Sequence, residues 1–240
     1  MAMKIEYTPA RLKRELRRRI DPNFQKGQQN YFKESAVTLG VRAPDVRKLA
    51  SAAVKEYRAV KVSFDDVLAV ADRLWGCKFI EERVLGIVIV SKYQRHLEPR
   101  HWNHFDGWVD SLTNWAETDG LSTYILAALI KKDPALVKRL HAWTSSENRW
   151  RRRSAAVTLV PLARRGEYHD VAFEVCDRLA ADRDDMVEKG IGWLLKEASR
   201  TQPQTVADFL LADIDRFSRT TVRYACEKLP KRLRTRVMKA

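Results

Sequence analysis

A segment made of a leading charged residue followed by small and apolar residues recurs along the chain at a nearly constant spacing. Its copies are Arg83-Val84-Leu85-Gly86, Asp119-Gly120-Leu121-Ser122, Arg153-Ser154-Ala155-Ala156, Lys189-Gly190-Ile191-Gly192 and Arg223-Tyr224-Ala225-Cys226. The leading residues are 36, 34, 36 and 34 positions apart. A period of about 35 residues that holds two helices is typical of an α-solenoid, in which every second helix lines a concave surface. A bundle of helices of similar length is the alternative, but it does not explain such even steps.

Apolar residues follow helical spacing along most of the chain, for example at Val84, Ile87 and Val88, and no sustained strand-like alternation occurs. We therefore predict an all-α fold of roughly a dozen helices of about 10 to 18 residues. A single domain is expected over 1–240, with N-terminal capping helices over 8–35. Helix starts are predicted where Pro or a capping residue precedes the apolar pattern. They are Thr8, Ala43, Ser63, Glu98, Asn114, Asp133, Ser146, Asp184 and Gln202.

The charge balance predicts a polyanionic partner. The chain has 45 Lys and Arg against 31 Asp and Glu, a net charge of +14. Nucleic acid is favoured over a membrane, because the basic residues recur along the whole chain and no apolar run of about 18 residues exists. The charged N-terminus and the three widely spaced cysteines indicate a cytoplasmic, reducing environment without a disulfide or zinc framework. No cofactor is expected, and a solenoid that wraps a duplex is expected to be a monomer.

The register of the repeats places the five leading residues in one row: Arg83, Asp119, Arg153, Lys189 and Arg223. Cations in line suit a phosphate backbone, since each donates charge-assisted hydrogen bonds and releases counterions. The one carboxylate, Asp119, would repel that backbone. It is therefore either neutralised by its basic neighbours or placed there for chemistry that needs negative charge, and the register alone leaves both open.

Two tryptophans share the helix faces of this row. Trp115 lies four residues before Asp119, and Trp193 lies four residues after Lys189. Each is compatible with a buried core position. As a pair beside a carboxylate on a basic face, they also fit a cradle for a sugar or a base.

This set of residues fits hydrolysis of a glycosidic bond in DNA. Breaking the bond builds positive charge on the sugar, which the Asp119 carboxylate would stabilise while it orients the attacking water. An alkylated purine cation leaves as a neutral base and needs no general acid. None of the five histidines lies in the row, so the site suits cationic lesions and not neutral ones.

At these residues the chain resembles the bacterial DNA alkylation repair glycosylases built from HEAT-like repeats, the AlkD-type family. The resemblance rests on Tyr31-Phe32-Lys33, Leu39 to Pro44 with Arg47, Asn114 to Asp119, Trp150 to Arg153, and Ile191 to Lys196. It implies a right-handed α-solenoid of two-helix repeats with a basic concave face. It further implies a DNA glycosylase that removes positively charged N3- and N7-alkylpurines from duplex DNA.

The resemblance also assigns roles to residues. It makes Asp119 the catalytic aspartate, Trp115 and Trp193 the aromatic walls around the lesion, and Arg153 the phosphate ligand. Tyr31 matches an N-terminal aromatic near the same cleft. Arg47 and Lys196 belong to matched segments, and we expect both to contact DNA. We expect the same of the remaining cations in the row, which are Arg83, Lys189 and Arg223.

One position departs from the family pattern. The family often has an acidic residue directly after the first tryptophan, where this chain has Ala116, and Glu117 is expected to face elsewhere on the helix. The rival hypotheses are a non-catalytic repeat protein that binds DNA or an acidic protein through its basic face, and a binder of unusual DNA structures that has lost excision. His101 and His104 lack a third ligand, so we predict helix packing there and no metal site.

Overall fold

The computed structural model describes residues 5–32 and 36–240, and for residues 29–31 it describes the backbone alone. In that part of the chain every regular element is helical, which confirms the all-α prediction. The α-helices are α1 (Pro9–Arg17), α2 (Pro22–Tyr31), α3 (Ala43–Ala59), α4 (Phe64–Trp75), α5 (Ile80–Ser91), α6 (Trp102–Asp110), α7 (Trp115–Leu121), α8 (Ala127–Lys132), α9 (Val137–Trp143), α10 (Arg149–Val157), α11 (Val160–Ala163), α12 (His169–Leu179), α13 (Asp185–Ala198), α14 (Pro203–Ala212), α15 (Arg219–Ala225) and α16 (Lys231–Lys239). Several are shorter than predicted, and short 3₁₀ turns join some of them.

The chain divides into two compact units. The first unit consists of Met1–Glu98 and Leu112–Ile125, and the second consists of Pro99–Ser111 and Leu126–Ala240. Among the described helices, α1 to α5 and α7 therefore belong to the first unit, and α6 and α8 to α16 belong to the second.

Helix α5 is the central helix of the first unit. It packs against α3 and α4 and also against α7. Residues from nearly its whole circumference are buried, including Glu81, Glu82 and Arg83 as well as Leu85 and Ile89. The core around it contains Leu12 and Leu16 of α1, Tyr57 of α3 and Leu74 of α4, all without exposed surface.

Helix α13 has the corresponding position in the second unit. It packs against α10, α11 and α12 on one part of its surface and against α15. Its buried residues include Val187, Ile191, Leu194 and Leu195. Helices α14 and α16 pack on each other at the C-terminal end of the unit.

The repeat register read from the sequence has a structural counterpart within each unit. All five leading residues lie in the second turn of their helix, three or four residues after its first residue, on α5, α7, α10, α13 and α15. These helices also pack side by side, α5 on α7 in the first unit, and α10 on α13 and α13 on α15 in the second. The period therefore corresponds to helices that stack in equivalent positions.

Small residues in the repeated segment permit this close stacking. A Cβ atom on Gly192 would lie 2.5 Å from the Cβ of Tyr224 and 3.0 Å from the carbonyl oxygen of Thr221, both on α15. A Cβ atom on Gly86 would lie 3.0 Å from the carbonyl oxygen of Ala71 on α4. Any larger residue at either position would force the two helices apart.

Side-chain caps mark several helix starts. Thr8, Ser63, Asn114 and Asp184 each accept a hydrogen bond from a backbone N–H in the first turn of the helix that follows, as predicted. The start predicted at Ser146 is wrong. Asn148 caps α10 instead, through Trp150 N–H, while the Ser146 hydroxyl accepts from Asn148 N–H.

Candidate catalytic site

The first turn of α7 carries two of the predicted site residues and is held by its own cap. The side chain of Asn114, which has no exposed surface, accepts a hydrogen bond from Glu117 N–H at 3.0 Å. The Thr118 hydroxyl donates to the Asn114 carbonyl at 2.8 Å. Trp115 and Asp119 therefore lie one turn apart on the same face of a capped helix start.

Asp119 is half-buried, and the chain changes its helical geometry directly after it. The Thr123 hydroxyl donates to the Asp119 carbonyl oxygen at 2.6 Å, and Ser122–Leu126 form a π-helix. Such wide turns are rare and are often found at functional sites. The carboxylate thus lies in the last α-helical turn before a local widening of the backbone.

Trp115 forms one wall of an apolar cavity in the first unit. Its ring stacks on Phe32, with 5.5 Å between the ring centroids and 25° between the planes. The cavity has a volume of about 590 Å³. Its lining includes Phe24, Val41, Val46, Ile80 and Val84 beside these two rings, and Ala116. A cavity of this size and character accepts a flat, apolar group.

The loop that borders this cavity is positioned by a buried carboxylate. Glu81, at the start of α5, accepts hydrogen bonds from the N–H groups of Leu39, Gly40 and Val41 at 2.8, 2.9 and 3.2 Å. Gly40 has a φ of 85°, a left-handed conformation that favours glycine, and a Cβ there would lie 2.6 Å from the Cβ of Gln25. Three hydrogen bonds to Glu81 and the left-handed conformation of Gly40 therefore fix the backbone conformation of this loop.

Arg83 is buried, and its predicted contact with DNA stays a prediction. Its side chain lies inside the first unit, and the residue is only 7% exposed. Nη1 contacts Glu117 Oε2 at 3.1 Å, and the guanidinium lies 3.9 Å from the centroid of the Trp75 ring. The physical reason for this burial is the position of α5, which has neighbours on several sides. Arg83 therefore joins α5 to α7 through Glu117.

Glu117 is the acidic residue of α7 that sequence reasoning set aside. It has no exposed surface, and Oε2 accepts hydrogen bonds from the Thr113 N–H and hydroxyl at 3.2 and 3.3 Å. Burial raises the pKa of its carboxyl, while Arg83 and the groups of Thr113 and Asn114 oppose that rise. The signal was present in the sequence, because Asn followed three residues later by Glu is a capping-box pattern.

Trp193 and the two lysines of α13 belong to the second unit. Trp193 is half-buried, as is Lys189, whose Nζ lies 3.4 Å from Asp185 Oδ2. Lys196 contacts Glu227 Oε2 at 2.8 Å, and its Nζ lies 6.0 Å from the centroid of the Tyr224 ring. Both lysines thus have acidic neighbours that offset part of their charge. The pairing of Trp193 with Trp115 around a lesion stays a prediction.

The predicted arginines differ in their access to solvent. Arg153 is 5% exposed, and its Nη1 donates to the Met186 carbonyl oxygen, while its stem packs at 3.4 Å from the Cβ position of Gly190. Arg223 on α15 and Arg47 on α3 are exposed. The role of all three as DNA ligands stays a prediction. Tyr31 ends α2, and its side chain lies outside the described part of the chain.

The histidines singled out in the sequence pack among aromatic rings. The His104 ring lies 5.0 Å from the Phe105 ring and 5.7 Å from the Trp108 ring, and His101 is buried. Across residues 5–32 and 36–240, no group of three His, Cys, Asp or Glu side chains has an arrangement that would hold a metal ion. His104 thus packs against aromatic rings, and the absence of a metal site at these histidines stays a prediction.

These features define an all-helical repeat protein with a carboxylate one turn away from the aromatic wall of a cavity. The sequence matches the model of the DNA alkylation repair enzyme family over residues 12–229. The chain therefore belongs to the DNA alkylation repair enzyme family. The family description indicates DNA as the binding partner.

A solved structure supports the fold. It is described as a predicted DNA alkylation repair enzyme from Enterococcus faecalis, is 17% identical in sequence and superposes with a TM-score of 0.78. The match covers 89% of this chain and 98% of that one. At this identity the likeness establishes the fold alone. No curated protein matches the sequence. None of the described helices combines the length and the apolar character needed to cross a membrane.

Proposed function

We propose that the protein is a DNA glycosylase that hydrolyses the N-glycosidic bond of positively charged N3- or N7-alkylpurines in duplex DNA. The observation that carries this proposal is the geometry of α7, which sets Asp119 one turn after Trp115, itself a wall of the apolar cavity. Membership of a DNA alkylation repair family supports it. We further propose that the protein acts as a monomer in the bacterial cytoplasm.

The reaction follows from the charges involved. The bond between the sugar C1′ and the purine nitrogen breaks, and its electron pair neutralises the cationic base, which leaves without being protonated. The Asp119 carboxylate stabilises the positive charge that develops on the sugar. Water then adds to C1′, and its proton passes to Asp119 or to solvent. A neutral base would leave as an anion and would need protonation by a general acid, and none of the proposed site residues is assigned that role.

The aromatic walls supply binding. Trp115, backed by Phe32, offers a rigid ring face for a sugar or base, and Trp193 is proposed as an aromatic DNA contact of the second unit. Contacts of Arg153, Arg223, Arg47, Lys189 and Lys196 with phosphates, together with a contact from Tyr31, complete the proposed interface. They hold the duplex while the lesion is trapped against the protein.

The decisive experiment is release of free 7-methylguanine and 3-methyladenine from methylated duplex DNA, measured by chromatography. Asp119→Asn is expected to lower the single-turnover rate by about 100-fold or more, because it removes the charge that stabilises the transition state. Asp208→Asn is the matched control, since Asp208 is an exposed acid on α14 that pairs with Arg236. If the wild type releases no base, the glycosylase proposal is wrong. If Asp119→Asn is as fast as the wild type, the mechanism is wrong although the function stands.

A further inference from the structure

The contact between α5 and α7 contains an ion pair where apolar residues would be expected. Arg83 and Glu117 have side chains that are 8% and 1% exposed, with 3.1 Å between Nη1 and Oε2. The guanidinium is also stacked on Trp75. The two helices also approach closely at an apolar contact, since the Cβ position of Gly120 on α7 lies 3.4 Å from Ile87 Cγ2 on α5.

An ion pair of this kind is a poor source of stability. Removing both charges from water costs about as much as their attraction returns, so a well-packed apolar pair of similar volume is often as stable. Buried pairs can instead specify one arrangement of the elements that carry them. The question is which arrangement of α7 this pair selects.

Helix geometry answers that question. Each residue turns an α-helix by about 100°, so Glu117 points to the opposite side from both Trp115 and Asp119, which are two residues before and after it. Glu117 also accepts hydrogen bonds from Thr113, ahead of the cap. Anchoring Glu117 on Arg83 therefore fixes the rotation of α7 about its axis, and with it the direction of both site residues.

We infer that the Arg83–Glu117 ion pair is a positioning device, which sets the direction of Trp115 and Asp119 for the chemical step. This inference rests on the proposed glycosylase function. Neither residue contacts DNA or the reacting atoms in this role. If the pair only stabilised the fold, any replacement that restores stability would also restore the excision rate. If the pair positions α7, the excision rate depends on the directional contact itself.

The test compares single and double variants. Glu117→Gln leaves the Arg83 charge buried without its partner and is expected to lower the melting temperature. The double variant Arg83→Met with Glu117→Leu removes both charges and is expected to recover most of that loss. Its single-turnover excision rate should nevertheless stay about 10- to 100-fold below wild type, because small misplacement of reacting groups is costly. Its affinity for undamaged duplex should change less than twofold.

Two further measurements keep the result decisive. Arg83→Lys retains a buried cation but loses the planar fork, and its excision rate should lie between the wild type and the double variant. Hydrogen exchange of the α7 backbone amides should be faster in the double variant even at equal melting temperature. If the double variant does not fold, the test rests on the excision rate and the α7 hydrogen exchange of Arg83→Lys. Wild-type values of both quantities would overturn the inference.

The control removes an ion pair elsewhere. Arg216 and Asp177 lie 2.6 Å apart in the second unit and belong to no proposed site, so Arg216→Met with Asp177→Leu should excise at the wild-type rate. The inference is overturned if the Arg83→Met, Glu117→Leu variant is folded and excises at the wild-type rate. If the wild type itself releases no base, the proposed function fails, and the exchange of α7 amides still decides whether the pair orders this helix.

Discussion

A single aromatic residue, Trp115, connects the cavity of the first unit to the proposed chemistry. One face of its ring is supported by Phe32, and it lies one turn before Asp119. Base stacking on such a ring contributes about 1–3 kcal/mol. We expect Trp115→Ala to lower the excision rate by about 10- to 100-fold, and Trp115→Phe to retain part of the activity because a ring face remains.

The control for this prediction is Tyr124→Ala. Tyr124 is an aromatic residue of the same unit that is 46% exposed, and its backbone carbonyl accepts a hydrogen bond from the Gln94 side chain. Its removal should leave excision unchanged. Equal losses in Trp115→Ala and Tyr124→Ala, or no loss in either, would contradict the role assigned to Trp115.

The sequence predicted where residues lie along their helices but not how deeply their side chains are buried. The repeat register placed Arg83 at the correct turn of the correct helix, but it contained no information on how many neighbours surround α5. Trp75 and Glu117, which enclose the guanidinium, are contributed by α4 and α7. Because spacing along the chain reports faces and not burial between helices, only the three-dimensional structure distinguishes this buried arginine from the exposed Arg223.

The start of α12 contains a buried histidine whose titration affects stability. His169 follows Tyr168, a residue with a φ of 58°, and its Nε2 lies 2.9 Å from the Thr201 hydroxyl. Burial lowers the pKa of His169 below its ordinary value of 6.5, so the unfolded chain binds a proton first as the pH falls. Its contribution to stability is therefore present above about pH 6.5 and is lost at lower pH.

We expect His169→Gln to reduce the pH dependence of unfolding. The free energy of unfolding, measured by urea at pH 7.5 and pH 5.0, should fall more in the wild type than in the variant, since glutamine has no proton to gain. A His169→Gln variant that loses stability between the two pH values as strongly as the wild type would contradict this account.

Among the elements, the longer capped helices were predictable and the irregular ones were not. The caps at Thr8, Ser63 and Asp184 depend on local chemistry that the sequence displays directly. The π-helix Ser122–Leu126 and the 3₁₀ turn Pro99–His101 depend on how neighbouring helices pack, since the same residues are compatible with an ordinary α-helix. The cavity beside Trp115 was missed for the same reason, because α2, α3, α5 and α7 contribute its walls from distant parts of the sequence.

At the scale of the whole molecule, the net charge of +14 predicts how DNA binding responds to salt. Each phosphate contact changes the slope of log K against log salt by about 0.9, so the wild type should weaken steeply between 50 and 200 mM salt. Arg223→Ala removes an exposed cation and should flatten the slope by about one contact. Arg153→Ala should also weaken binding and flatten the slope if a phosphate displaces its contact with Met186.

Arg216→Ala is the control, because Arg216 is paired with Asp177 and Asp213, so its loss should leave the slope close to wild type. Fluorescence anisotropy on an undamaged duplex measures binding apart from catalysis, so these slopes stand whether or not a base is released. A wild-type slope near zero would mean that the positive charge does not serve DNA binding. A weaker affinity in Arg153→Ala with an unchanged slope would instead make Arg153 a residue that holds α10 against α13, because a lost phosphate contact changes the number of counterions released.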